Sequence, residues 1–371
     1  MAARPARALP TIPVLDLASV LAPEQAAIEA AALAVLRGGR YVLGDAVRAF
    51  EREFAAWCGV ADAVGVANGT DALELALRAL GVRAVDAVAC VANAGGYATT
   101  AILACGAVPL YVDVGEDALA DPRDFARVLA QRPRAAIVTH LYGRIADMDA
   151  LCASADAAGV PLVEDCAQAH GARRAGRRAG SFGTLACFSF YPTKNLGALG
   201  DGGAVLGSEP ELLDRLRALR QYGWTRRYHA QVAGGRNSRL DELQAAILRA
   251  RLPALDAANA RRRAIAARYC AQIRNPLLRV PARGGEDDVA HLFVVACERR
   301  AALCAHLDAH GIGWDVHYPV PDHRQPATAR PDVRLPVTER LCAEVLTLPC
   351  HPALDDAEVA RVVEACNGFH G

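Results

Sequence analysis

Between about residue 60 and residue 207, short apolar runs alternate with longer stretches of helical periodicity. The runs predict strands over residues 64–66, 85–91, 108–112, 135–139, 161–164, 185–189 and 204–206. Apolar residues recurring at helical spacing predict helices between them, over 71–80, 98–104, 121–131, 148–159 and 211–222. Helices of that length require crossover connections, so the sheet is expected to be mainly parallel and covered on both faces. Ligands on such sheets sit at the carboxyl ends of the strands, and the segments just after each strand are where chemistry is expected.

Beyond residue 241 a helical pattern runs to about residue 271, with Pro253 as a kink or break. Pro276, Pro281 and a Gly284–Gly285 turn follow, then a strand-like 291–297, a helix over 300–310 and a last helix from about Asp355. The pattern predicts an α/β chain of two domains. Residues 1–250 form the large one, N-terminal segment included, and residues 251–371 a smaller C-terminal α+β domain. Residues 311–326, rich in His, Pro and Asp, form a loop expected to face the large domain.

A length of 371 residues suits about two domains, and 53% hydrophobic residues exclude a disordered chain. The 41 basic residues balance 41 acidic ones, which excludes a broad nucleic-acid surface and leaves room only for local anion pockets. The 12 cysteines are scattered, with no C-x-x-C pair and no His–Cys spacing suited to zinc. They read as free thiols of a reducing cytosol, with no metal site. Pro10, Pro13 and Asp16 interrupt the segment after Arg4 and Arg7, so no targeting peptide is expected. No run approaches the roughly 20 uninterrupted apolar residues of a membrane span, and a soluble cytoplasmic protein is expected. One imbalance stands out: among the 41 basic residues only Lys194 is lysine. A chain that writes arginine for generic positive charge retains a lysine where an arginine cannot do the work.

Lys194 lies in Phe188-Ser-Phe-Tyr-Pro-Thr-Lys194-Asn-Leu-Gly-Ala-Leu-Gly-Asp-Gly-Gly203, just after a predicted strand. A primary amine can form a Schiff base with an aldehyde, which a guanidinium cannot. The glycines follow the lysine, so the segment is not a phosphate-binding P-loop; the plain alternative is a surface lysine. Val163-Glu-Asp165-Cys-Ala-Gln168-Ala-His-Gly171 marks a second strand end. A pyridoxal phosphate ring needs a carboxylate against its ring nitrogen, a task Asp165 suits, while Gln168 could bond the ring hydroxyl. The other role open to Asp165 is a helix N-cap. Ala67-Asn-Gly-Thr70 opens a predicted helix and offers bare backbone N–H groups to an anion, or else simply caps it through Thr70.

These segments resemble the DegT/StrS-type sugar aminotransferases, pyridoxal 5'-phosphate enzymes of fold type I that act on nucleotide-linked keto-sugars. The resemblance runs from Ile12-Pro-Val-Leu-Asp-Leu17 through His140-Leu-Tyr-Gly143, the Asp165 and Lys194 segments, and Asn237-Ser-Arg-Leu-Asp-Glu-Leu-Gln-Ala-Ala246. It implies that Lys194 binds the cofactor covalently and carries the proton of transamination, that Asp165 pairs with the pyridine nitrogen, and that Gln168 contacts the ring oxygen. Gly69, Thr70 and Ser189 would hold the phosphate, completed by Asn237 from a partner subunit, which implies a homodimer with shared active sites. By residue type alone, Ser189 reads as a buried strand serine bonded to backbone and Asn237 as a turn residue.

One departure concerns the aromatic that family members stack on the cofactor ring: its position falls on Gly95, and either the nearest aromatic, Tyr97, takes over the stacking through a local loop change, or the ring is covered otherwise. The segment Trp314-Asp-Val-His317-Tyr-Pro-Val-Pro-Asp-His323 resembles the substrate loop of members that aminate C3 of dTDP-linked 3-keto-6-deoxyhexoses. Tyr191, Arg227, His317 and His323 are the expected contacts to the nucleotide-sugar; read plainly, the histidines are structural and Arg227 is a solvated charge. L-Glutamate as amino donor follows from the resemblance alone. The alternatives are amination at C4 of a dTDP- or UDP-4-keto sugar and a non-catalytic cofactor-binding regulator. A third relative, the sugar dehydratases, typically has histidine where this chain has Lys194.

Overall fold

The computed structural model describes residues 11–281 and 285–371; Arg4, Arg7, Pro10 and Gly284 lie outside them. Seven strands form the central sheet: β1 (Asp62–Val66), β2 (Ala87–Val91), β3 (Val108–Val112), β4 (Ala135–Thr139), β5 (Leu162–Asp165), β6 (Leu185–Ser189) and β7 (Gly203–Gly207). Their spatial order is β1-β7-β6-β5-β4-β2-β3. Pairings from β3 through β2, β4 and β5 to β6 are parallel, while β7 runs antiparallel to both β6 and β1. β4 is buried along its whole length, which is why it reads in sequence as an unbroken apolar run and does not alternate.

Two apolar clusters cover the sheet. One contains Leu73, Leu77, Ile102 and Leu216, from helices Gly69–Ala79, Tyr97–Ala104 and Pro210–Leu219. The other contains Phe50, Phe54, Phe125 and Leu151, from helices Asp45–Cys58, Pro122–Leu129 and Met148–Ala158. Leu162 belongs to the second and Val163 to the first, so successive residues of β5 face opposite layers. A third cluster gathers Tyr269, Phe293, Leu303, Leu346 and Val362 from the C-terminal part, with Ile12 joined to it through a bridge to Ile312.

The structure departs from the sequence pattern in four places. The second strand begins at Ala87, because Val85 sits exposed in a turn at φ +67°. Helices Gln25–Gly38 and Asp45–Cys58 precede the region where the alternation starts, and strand β8 (Val345–Leu348), antiparallel to the strand Phe293–Ala296 only by a long return of the chain, is absent from the sequence pattern. The stretch Leu17–Gly38, 22 residues long, is long and apolar enough on average to cross a membrane by length and composition, a feature that a search for uninterrupted apolar runs passes over. Glu24, Glu29 and Arg37 interrupt it in sequence, and Gln25–Gly38 packs along helix Glu242–Arg251. Pro253 does break the long helical pattern: a single turn, Leu252–Ala254, separates Glu242–Arg251 from Leu255–Gln272.

Candidate active site

A cavity of about 880 Å³ opens where β1, β5 and β6 end. Gly69, Thr70, Asp165, Gln168, Ser189 and Lys194 line it. Lys194 is placed by the turn after β6, where its N–H donates to Tyr191 O at 2.8 Å. No hydrogen bond or ion pair joins its Nζ to a described residue, although the side chain is largely buried. Burial lowers its pKa to about 8, against the opposing pull of the Asp165 carboxylate.

Asp165 closes β5 with its carboxyl buried. Oδ1 accepts from Ala167 N at 3.1 Å and Oδ2 from the Thr139 hydroxyl at 3.2 Å. Burial raises its pKa, with the Ala167 N–H and Lys194 opposing. The chain after β5 turns without forming a helix, so Asp165 is not an N-cap. Gln168 is locked by that turn: Oε1 accepts from Tyr142 N at 2.6 Å and Nε2 donates to the Tyr318 hydroxyl at 3.2 Å.

The other end of the cavity suits an anion. Asn68 caps helix Gly69–Ala79 by accepting from Asp71 N at 2.8 Å, which removes Thr70 from the capping role. The N–H groups of Gly69 and Thr70 are then left without an acceptor among the described residues. The Ser189 Oγ accepts from Tyr191 N at 3.3 Å and so keeps its own proton to donate. A Cβ on Gly69 would stand 2.6 Å from Ser189 Cβ, so this close approach of helix to strand end admits only glycine. Bare N–H groups at a helix start beside a hydroxyl form an anion cradle. Phosphate cradle, carboxylate and unpaired amine match the phosphate, ring nitrogen and aldehyde of pyridoxal 5'-phosphate.

Tyr97, Tyr191 and His317 also line the cavity. Tyr97 opens helix Tyr97–Ala104 and is 49% exposed, and Tyr191 is exposed at the mouth. His317 Nδ1 lies 2.8 Å from the Thr347 hydroxyl of β8, and Nε2 lies 3.7 Å from Asp315. His323 is a correction: it is fully buried away from the cavity, with Nε2 2.9 Å from Glu339 and its ring against Tyr111. The loop turns sharply at Asp322–Arg324 and aims that ring at helix Pro336–Glu344. Arg227 and Asn237 are exposed and do not line the cavity of their own chain. Arg227 lies over the Tyr228 ring at a hairpin tip, and Asn237 bridges to Gln221.

Among the residues of the site that the sequence pattern does not single out, three stand out. Tyr318 adjoins His317 in the loop already singled out. Asn68 precedes Gly69 in a motif whose capping was assigned to Thr70. Arg262, buried in helix Leu255–Gln272, lines the cavity and donates to Cys350 O at 2.6 Å. Burial lowers its pKa to about 10, and nothing in sequence sets it apart from the other arginines.

A mainly parallel sheet whose carboxyl edge holds an unpaired lysine, a buried aspartate and a phosphate cradle defines a fold type I pyridoxal-phosphate-dependent aminotransferase. The chain belongs to the DegT/DnrJ/EryC1/StrS aminotransferase family, whose model matches residues 23–367. It is 46% identical over 362 residues to the dTDP-3-amino-3,4,6-trideoxy-alpha-D-glucose transaminase of Streptomyces venezuelae, covering 96% of this chain and 95% of that one. Among solved structures it is similar to S. venezuelae DesV in complex with a ketimine intermediate, with a TM-score of 0.93 and 46% identity over 97% of this chain and 98% of that one. NtdA from Bacillus subtilis, solved with bound cofactor PMP, matches with a TM-score of 0.91 and 27% identity over 98% of this chain and 86% of that one.

Proposed function

We propose that the enzyme moves an amino group from L-glutamate to C3 of a dTDP-linked 3-keto-6-deoxyhexose, giving a dTDP-amino sugar. The observation that carries the transamination is Lys194: a buried, unpaired amine with a pKa of about 8, facing the same cavity as Asp165. The preference for C3 and for dTDP rests on the name of the S. venezuelae relative at 46% identity.

Bound pyridoxal phosphate supplies an electron sink for the pair left when a proton leaves the donor's Cα. The chain's own residues do the rest. Lys194 would hold the cofactor and would carry that proton on its amine; a pKa near 8 leaves a useful neutral fraction at cellular pH. Asp165 keeps a positive ring nitrogen favourable, and Thr139 and Ala167 fix the carboxylate's direction. Gly69, Thr70 and Ser189 would hold the phosphate, and Gln168 the ring oxygen. Tyr191 and His317 receive the nucleotide-sugar at the mouth. In this reading residues 1–250 bind the cofactor and residues 251–371 cover it.

Arg227 and Asn237, exposed and remote from their own cavity, suit a homodimer in which each protomer completes its partner's site. The twelve free thiols support a cytoplasmic enzyme. The test is a panel of dTDP- and UDP-linked 3-keto and 4-keto sugars assayed with L-glutamate. Turnover of the dTDP-3-keto sugars is expected; exclusive turnover of 4-keto sugars overturns the C3 assignment, and no turnover of any supports a regulator.

A further inference from the structure

We propose that Tyr318, carried by the loop over residues 311–326, is the aromatic that covers the face of the cofactor ring. The inference rests on reading the cavity as the pyridoxal phosphate site. In the segment after β2, positions 95 and 96 carry no side chain: Gly95 and Gly96 both lie in the left-handed region, at φ +78° and +82°. A Cβ on Gly95 would stand 2.9 Å from Cε1 and Cζ of Tyr318 and 3.0 Å from Cε2 of Tyr97. The rings of Tyr318 and Tyr97 therefore share the volume that a side chain at position 95 would take, and of the two it is Tyr318 that is tied to the rest of the site, through Gln168. Tyr97, two residues on, meets Tyr318 edge to face at 6.4 Å and 78°, and half its surface stays in solvent.

Tyr318 lines the cavity with Asp165, Gln168 and Lys194, and its hydroxyl accepts from Gln168 Nε2, whose other proton remains available to a ring oxygen. The ring is held from both sides. Before it, the Tyr142 hydroxyl donates to His317 O. After it, Asp322 N donates to Ala92 O at 2.8 Å and the Thr99 hydroxyl donates to Asp322 Oδ2 at 2.5 Å. Such bracing fixes an aromatic surface before any ligand arrives. It also means that the loop bearing His317 toward the substrate bears a wall of the cofactor site, so order in one implies order in the other.

The test uses the full-length protein freed of cofactor and titrated with pyridoxal phosphate, followed by visible absorption and tyrosine–tryptophan fluorescence. Tyr318→Ala is expected to weaken binding roughly three- to thirty-fold, with Tyr318→Phe near wild type and Tyr97→Ala losing less than Tyr318→Ala. Tyr318→Leu, which keeps most of the volume but no ring, should fall between and guards against a folding defect, with thermal melting of each apo-protein as the control. Wild-type affinity in Tyr318→Ala, or the largest loss in Tyr97→Ala, overturns the assignment. If wild type itself binds no pyridoxal phosphate, the reading of the cavity fails and this inference with it.

Discussion

Glu164 and Asp165 are consecutive carboxylates at the end of one strand, both buried, yet they point to opposite faces of the sheet and are treated in opposite ways. Glu164 is fully satisfied. Its oxygens accept from the N–H groups of Gly180 (2.8 Å), Phe182 (2.6 Å) and Gly183 (2.7 Å) and from His140 Nε2 (3.0 Å). His140 in turn accepts from Ala146 N through Nδ1, so its proton sits on Nε2, toward Glu164. Burial pulls the Glu164 pKa up, but His140 and the Gly183 and Gly180 N–H groups outweigh it and leave it below the usual value. Cys166 Sγ lies 3.9 Å away, and this His–Glu–Cys group is the one among the described residues that could hold a metal; the bonds just named already occupy its histidine and its glutamate.

Asp165 has two neutral donors, no ion pair within 4 Å among the described residues, and a raised pKa. The difference separates carboxylates that hold structure from carboxylates kept in reserve for a ligand. A bonded group adds stability, whereas an under-bonded one costs stability until its partner binds. Lys194 belongs to the second kind, and the two reserved groups share one cavity.

The comparison can be broken in four ways. The largest effect is expected from Lys194→Arg, which keeps a cation but loses the amine: transamination should fall on the order of 10³- to 10⁴-fold in a steady-state assay. Asp165→Asn should follow, with kcat reduced on the order of 10²- to 10³-fold and the denaturant midpoint little changed. Glu164→Gln should show the reverse pattern, losing roughly 2–4 kcal/mol of stability with a much smaller change in kcat. Equal effects of the two substitutions on both measurements would dissolve the distinction.

The smallest effect concerns the apo-protein. Lys194 has a pKa of about 8 when folded and 10.5 as its ordinary value, so between those limits the unfolded chain binds one more proton than the folded one. Stability contributed by this group therefore rises with pH across that window, and below pH 8 the full penalty of a buried charge is present. Lys194→Met is expected to be more stable than wild type by roughly 1–3 kcal/mol below pH 8, an advantage that shrinks as pH rises toward 10.5. Chemical denaturation at several pH values measures it.

The sheet was legible because its strands are buried on both faces and separated by amphipathic helices; all seven were found within three residues of their ends. Lys194 and Asp165 were legible as rare or charged residues at strand ends. The N-terminal helices were not, since Gln25–Gly38 is alanine-rich and buries only Ile28. Nor was the partnership of Gly95 and Tyr318, because contacts between segments far apart in the chain exist only once the C-terminal loop folds back. His323 was misplaced for the same reason: a turn at Asp322, invisible in residue type, directs it away from the ligand.

The central claim is that Lys194 is the covalent attachment point of the cofactor, and the chain's composition makes the test unusually clean, because no other lysine competes. Borohydride reduction of the pyridoxal-phosphate-loaded protein, followed by peptide mass mapping, should place one pyridoxyl group on the peptide containing Lys194. A loaded protein that yields no reduced adduct, or carries it only at the N-terminal amine, would contradict the account.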